Sequence, residues 1–246
     1  MTRSAAPVVA LLSLLTVGCA SAPNRTPDPR DPWERFNRVS YKVTDVADRA
    51  VLKPTAKAYR AVAPQFVETG VSNFFSNLNQ PTVIVNNLLQ AKFGPALNDT
   101  GRFLLNSTLG LGGLLDPASA AGLDRNDEDF GQTLGKWGVA SGPYLWIPFL
   151  GPSTVRDGFG RGVDVFTDPV HYVERDRIRY SLDALDVIET RASQLDLEET
   201  LQSAYDRYAF IRNAYLQQRE YQVKDGEVTQ PPLDEESLED PEPDAE

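Results

Sequence analysis

One cysteine and one histidine stand in a chain of 246 residues, and most common enzyme chemistries lose their usual parts with that shortage. A single cysteine excludes an intramolecular disulfide framework and a multi-cysteine zinc site. The one histidine, His171, lies in DPVHY between a helix end and a polar stretch, where it reads as a surface or packing residue. No G-x-S-x-G nucleophile elbow occurs; the nearest segment, Gly70-Val71-Ser72, lacks the closing glycine. Walker, dinucleotide-binding and HExxH motifs are missing too. The acidic run Asp127-Glu128-Asp129 has nothing nearby to complete a metal-ligand spacing, and reads as a helix start favoured by the helix dipole. No catalytic residue, metal or cofactor is expected. With 24 Lys+Arg against 35 Asp+Glu, the chain carries a formal charge of −11 and lacks the basic face that a nucleic-acid partner needs. After Cys19 no apolar run approaches the roughly 20 residues of a membrane-spanning helix.

What is present begins at the N-terminus. Arg3 precedes a mostly apolar run from Ala5 to Val17, too short to span roughly 30 Å of hydrocarbon and suited to a signal-peptide core. The run ends in Leu15-Thr16-Val17-Gly18-Cys19, which resembles the bacterial lipobox, with Thr16 in place of its usual aliphatic residue. Residues 1–18 are therefore expected to be a lipoprotein signal peptide and Cys19 the lipidated residue. Stable anchoring takes more than one acyl chain, which a triacylated Cys19 supplies. Ala20 stands after the cysteine where an inner-membrane retention signal would carry Asp, so by resemblance to lipoprotein sorting the outer membrane is favoured. Residues 19–30, polar and proline-rich, read as a tether.

From Asp31 onward the apolar pattern is helical, and the fold class is all-α. Asp31-Pro32 reads as a cap and first turn, with Glu34 placed for a capping box. Trp33, Phe36, Val39, Val43, Val46 and Ala50 mark one face of the helix that follows. A second helix carries Val67, Val71, Phe74, Phe75 and Leu78 and is expected to stop near Pro81, with Val83-Ile84-Val85 continuing as helix. Gly94-Pro95 opens another, running to about Ser107. Phe130, Leu134 and Trp137 mark a further helix, whose neighbours Gly131, Gly135 and Gly138 would let backbones approach closely. Ser153 is expected to cap a helix bearing Val155, Phe159, Val163 and Phe166. Two more patterns follow: Ile178 to Leu195, then Leu201, Ala204, Tyr208, Ile211 and Tyr215.

SGPYLWIPFLGPS, from Ser141 to Ser153, is the most informative loop. Its glycines and prolines argue against regular structure, yet it displays Tyr144, Leu145, Trp146, Ile147, Phe149 and Leu150. A solvated loop does not normally carry six large apolar side chains, so protein, a partner or lipid must cover them.

Six blocks now resemble, in order, those of the MlaA (VacJ) family of outer-membrane phospholipid-transport lipoproteins. They are DPWERFNR (Asp31–Arg38), SNFFSNLNQP (Ser72–Pro81), VNNLLQ (Val85–Gln90), LLNSTLGLGGLLDPA (Leu104–Ala118), FGQTLGKWGVASGPYLWIPFLGPSTVRD (Phe130–Asp157) and YDRYAFIRNAYLQQREY (Tyr205–Tyr221). The resemblance implies a ring of amphipathic helices lying in the periplasmic leaflet of the outer membrane around a central channel. Through it, phospholipids strayed into the outer leaflet would pass to a periplasmic lipid carrier, and on to an ATP-driven inner-membrane complex. It also implies a trimeric porin as a neighbour, and a conduit rather than an enzyme. The alternative is an envelope scaffold lipoprotein that only associates with porins. By the same resemblance the loop is the family's hairpin near the channel, with Gly142, Pro143, Pro148 and Gly151 setting the bend. Tyr144, Trp146 and Phe149 then either meet lipid or pack the core, and Arg156 and Asp157 either line the channel or pair with other charges.

The helical domain is placed at residues 31–222, followed by an acidic, proline-rich tail at 223–246 expected to be disordered. Ten acidic residues and no basic one fall in residues 225–246, leaving 23 basic and 25 acidic between Cys19 and Lys224. A near-neutral body suits a place among anionic headgroups. Replacing Cys19 by alanine should abolish acylation and outer-membrane fractionation, measured by metabolic lipid labelling and membrane separation. Unchanged fractionation would mean that the helices alone hold the protein there.

Overall fold

A computed structural model describes residues 28–227. The signal segment, Cys19, most of the tether and the tail beyond residue 227 lie outside the described residues. Ten α-helices and one β-hairpin make up the described chain: α1 Glu34–Ala47, α2 Lys53–Val62, α3 Gln65–Leu89, α4 Phe93–Thr108, the short α5 Pro117–Ala120, α6 Phe130–Lys136, β1 Tyr144–Ile147, β2 Gly151–Thr154, α7 Val155–Asp164, α8 Asp176–Ser193, α9 Glu198–Ser203 and α10 Arg207–Val223. A π-helical turn, Asp48–Leu52, joins α1 to α2 without a break. No helix of the described residues is long and apolar enough to cross a membrane.

The contacts close a circuit. α1 touches β1, β1 pairs with β2, and β2 touches α7; α7 packs on α6, α6 touches α3, α3 touches α8, and α8 packs on α2. Helix α10 crosses one side of this circuit against α6 and β2, while α4 folds back along α3.

The predicted helices form, but with four corrections. Asp31 does not cap α1: the helix begins at Glu34, behind Trp33, with no side-chain cap. The Asp31 carboxylate instead accepts from Asn37, Tyr208 and Arg212, and Glu34 pairs with Arg38 one turn on. Helix α3 runs straight through Pro81. A mid-helix proline forfeits a backbone bond and costs about 3 kcal/mol; packing of α3 on both α4 and α8 outweighs it. Thr154, not Ser153, caps α7, accepting from the Asp157 amide at 3.2 Å. The last apolar pattern is cut at Ala204, where α9 ends and Asp206 caps α10 through the Ala209 amide.

The loop of Ser141–Ser153 is also more regular than expected. It forms an antiparallel hairpin with Tyr144 opposite Thr154 and Ile147 opposite Gly151. Gly142 lies before the first strand and Pro148 in the turn, and Pro152 is tolerated because each strand of a two-stranded ribbon has an open edge. Pro148 and Phe149 occupy the middle of a β-turn closed by Leu150 N–H on Ile147 O at 3.1 Å. Phe149 carries φ +65°, a conformation such turns normally give to glycine.

The close backbone approach expected at α6 occurs at Gly131 alone of its three glycines, since the near neighbours of Gly135 are side chains. A Cβ on Gly160 of α7 would lie 2.4 Å from the Gly131 nitrogen, and one on Gly135 would strike Arg156 and Val223. Gly138 instead takes φ +89° after the helix end.

Burial runs opposite to that of a water-soluble bundle. The fully buried hydrophobics are four alanines plus Val83, Tyr144, Trp146, Val170 and Tyr208, and buried polar and charged side chains outnumber them. On α1 the predicted apolar face, Phe36, Val39, Val43 and Val46, is exposed, while Asn37 and Ser40 are buried. The apolar core is a small aromatic cluster: Tyr144, Trp146 and Tyr208, with Tyr41 edge-on to Trp146 at 5.0 Å. Asn37 mounts the hairpin beside it, accepting from Trp146 N–H at 2.9 Å and donating to Tyr144 O at 3.0 Å and Asp31 at 2.8 Å. Losing a buried hydrogen bond and orphaning its partner costs about 1–3 kcal/mol. Asn37→Leu should therefore destabilise by about 2–4 kcal/mol in denaturant unfolding of the detergent-solubilised protein. A loss under about 1 kcal/mol would show that the hairpin is held elsewhere.

Candidate functional site

The hairpin residues divide sharply. Tyr144 and Trp146 are core, and Trp146 donates its indole N–H to Thr44 at 3.2 Å. Thr44 also accepts from the Phe149 amide at 3.2 Å, which pins the turn to α1. Pro148 is exposed and Phe149 is 71 % exposed, so of the three aromatics singled out in the sequence only Phe149 faces outward. Gly142 and Gly151 take positive φ at either end of the hairpin, and Pro143 accepts from the Val155 amide at 3.1 Å.

Arg156 and Asp157 are buried at the start of α7 and belong to an ion cluster that closes the interior. Arg219 of α10 grips Asp129 with both terminal nitrogens, at 2.6 and 2.9 Å, and reaches Asp157 at 2.9 Å. Arg156 and the Tyr215 hydroxyl complete the shell of Asp157 at 3.0 and 2.8 Å. Burial opposes ionisation of Asp157, but the Arg219 bond and charge, with Tyr215 and Thr154, hold its pKa down to about 2. Asp129 also caps α6 through the Gln132 amide, so the acidic run starts a helix as expected and binds α10 as well. Seven residues earlier on α10, Arg212 binds Asp28 and Asp31, both at 3.0 Å.

A stripe of polar residues at 3–4 spacing runs along α3 to its C-cap: Ser72, Ser76, Asn79, Thr82, Asn86 and Gln90. Its second half is closed by hydrogen bonds. Thr82 meets Thr167 at 2.8 Å, Asn86 donates to Asp164 at 3.0 Å and accepts from Thr133 at 2.8 Å, and Gln90 donates to Glu128 at 2.8 Å. Its first half opens into a cavity of about 370 Å³ between α3 and α8, walled by Ser72, Ser76, Asn79, Asp168, Asp186, Glu189 and Thr190, with Phe75 and Leu78. No basic side chain lines this cavity. Burial, then the charges of Glu189, Asp168 and Asp183, push the Asp186 carboxyl up. Sequence reading missed this stripe and the two arginines of α10. The 3–4 spacing of small polar residues on α3 was the available signal.

Fold and site together define a class: a helical protein turned inside out, apolar around its outside and polar and charged within. The chain belongs to the MlaA lipoprotein family, whose model it matches over residues 29–222. It is 38 % identical over 224 residues to the intermembrane phospholipid transport system lipoprotein MlaA of Escherichia coli (strain K12), covering 89 % of each chain. To the lipoprotein of the same name from Haemophilus influenzae it is 33 % identical over 233 residues, covering 91 % of this chain and 92 % of the relative. A solved structure from work on maintenance of bacterial outer membrane lipid asymmetry superposes with a TM-score of 0.71 at 36 % identity, covering 78 % of this chain and 98 % of that one.

The ion cluster makes a pH prediction. A carboxylate whose pKa is depressed by folding stabilises the fold above its unfolded value, near 3.9, and loses that contribution as pH falls through the folded value. Unfolding of Asp157→Asn should show its full deficit against the parent chain at neutral pH. The deficit should shrink below about pH 4 and vanish near the folded pKa of about 2. A pH-independent deficit would mean that Asp157 acts through shape alone.

Proposed function

We propose that the chain removes mislocalised phospholipid from the outer leaflet of the outer membrane, through the polar interior of its helical ring, to a periplasmic lipid carrier. The observation that carries this reading is the inverted burial. Large exposed side chains such as Phe66, Phe93, Leu97, Leu109, Phe149 and Phe166 would each forfeit about 1.5–3 kcal/mol in water and lose nothing against lipid. The ring therefore lies in the membrane interface, fastened by lipidated Cys19 in the periplasmic leaflet, with a trimeric porin as its neighbour.

A phospholipid headgroup entering hydrocarbon leaves its charges and hydrogen-bonding groups unpaired, at several kcal/mol or more. The open half of the α3 stripe, with the cavity against α8, offers water and polar partners along that path, while Phe75 and Leu78 keep company with acyl chains. Nothing in this route requires bond-making, and the chain works as a conduit and not as an enzyme. Phe149 serves at the hairpin tip as a lipid contact, held outward at the cost of a strained backbone.

Deletion should raise outer-leaflet phospholipid and sensitise cells to detergent with EDTA. The paired variant Ser76→Trp with Asn79→Trp, which fills the cavity, should fail to complement while still fractionating with the outer membrane and its porin. Full complementation by the filled variant would overturn the conduit and leave the porin-associated scaffold. Phe149→Gly should relieve about 1 kcal/mol of turn strain, raising stability in unfolding measurements, yet transport lipid more slowly. Unchanged outer-leaflet lipid with Phe149→Gly would remove the tip from the mechanism.

A further inference from the structure

Helix α1 presents several surfaces, and its contacts assign two of them. Arg38 reaches Asp206, the cap of α10, at 2.7 Å, and the Tyr41 ring lies 5.9 Å from Tyr208. Those residues face α10. Asn37 and Thr44 face the hairpin, accepting from the Trp146 and Phe149 amides at 2.9 and 3.2 Å. The outer surface is bare, with Phe36, Val39, Val43 and Val46 each at least half exposed.

Arg35, Lys42 and Arg49 follow one another at intervals of seven, so they form a row that drifts only about 20° per step. At about 100° per residue, that row falls between the bare apolar stripe and the side facing α10. All three residues are exposed. The acids of this stretch are already engaged: Glu34 by Arg38, Asp45 by Arg49 and Asp48 by Arg191. Arg35 and Lys42 therefore keep uncompensated charge. The opposite border of the stripe holds Ala47 and the buried Ser40, and beyond it the hairpin turn shows exposed Phe149 and Leu150. One border is basic and the other is uncharged.

We infer that Arg35 and Lys42 bind the phosphates of anionic phospholipid in the leaflet that holds the ring, and so set which way up it floats. The inference rests on the reading that the helical body lies in the membrane interface. Charge selects the occupant, because the body from Cys19 to Lys224 has 23 basic and 25 acidic residues, yet this border is positive. Shape agrees with charge. Long cationic side chains beside an apolar stripe keep their heads among headgroups while their stems and the stripe sink. The depth order that follows puts the cations and the α10 side at the headgroups, the aliphatic stripe below them, and Phe149 deepest.

The test uses the full acylated chain in phosphatidylcholine vesicles with increasing phosphatidylglycerol, a trace of it carrying a photoreactive headgroup. Crosslinks should fall within residues 34–49. A cation near an anionic surface is worth roughly fivefold in affinity, so Arg35→Gln with Lys42→Gln should raise the half-saturating phosphatidylglycerol roughly 25-fold. Thermal unfolding should not move, because neither side chain has an ion-pair partner to lose. Arg177→Gln, at an exposed position on α8, should leave the titration unchanged. With the Cys19 sulfur acylated, Val43→Cys supplies one reactive thiol for a fluorophore, which brominated acyl chains should quench. An unquenched probe would overturn the interfacial reading and this inference with it. A quenched probe, with a titration unmoved by the double variant or moved equally by Arg177→Gln, would overturn the inference alone.

Discussion

Two guanidinium groups on α10 hold the ring's interior together. Arg212 gathers the incoming chain at Asp28 and Asp31, and Asp31 passes the connection through Asn37 to the hairpin. Arg219 gathers Asp129 of α6 and Asp157 of α7. In a water-soluble bundle such buried ion pairs are poor stabilisers, since well-packed hydrophobes of similar volume do as well or better. Here the balance differs. Against lipid, apolar helix faces have little drive to leave their surroundings and pack together, so association depends on close packing and on interior hydrogen bonds. An interior made of Leu and Phe would also erase the difference between inside and outside.

The same constraint explains the glycines and the proline. Arg219 and Asp157 fit only because Gly131 has no side chain; a Cβ there would lie 2.7 Å from each. Gly160 against Gly131 brings α6 and α7 close enough for one arginine to reach both. Pro81 is carried within α3 because the halves on either side of it are fixed by different partners, α8 before it and the Asn86 network after it.

Periodicity made the helices legible and hid their orientation. A 3–4 spacing such as Phe36, Val39, Val43 and Val46 identifies a stripe, but the same stripe serves a helix facing a core or facing lipid. Only the composition of the other face discriminates, and on α1 that face holds Asn37 and Ser40, which read as surface residues until a partner is seen. The loop at Ser141–Ser153 was legible as covered but not as a hairpin, because its register depends on Asn37, more than a hundred residues away. Arg212 and Arg219 sit in an unremarkable stretch of α10, and their partners lie up to 184 residues away in sequence. What spacing alone does announce is the α3 stripe, since small polar residues at Ser72, Ser76, Asn79, Thr82 and Asn86 have no reason to line up on a solvated helix.

That stripe separates structure from function along one helix. Where it is closed, its partners are satisfied side chains: Thr167, Thr133 and an Asp164 also bound by the Phe130 amide at 3.0 Å. Where it is open, Asp186 and Glu189 face a cavity with no basic residue in its wall. The fold pairs Asp129, Asp157 and Asp31 with arginines elsewhere, whereas no ion pair among the described residues holds Asp186 or Glu189. On the proposed route, the ammonium or hydroxyls of a phospholipid headgroup would be the groups these carboxylates could bond. The route therefore need not bind tightly, and a path that lowers a barrier without a deep well suits a conduit.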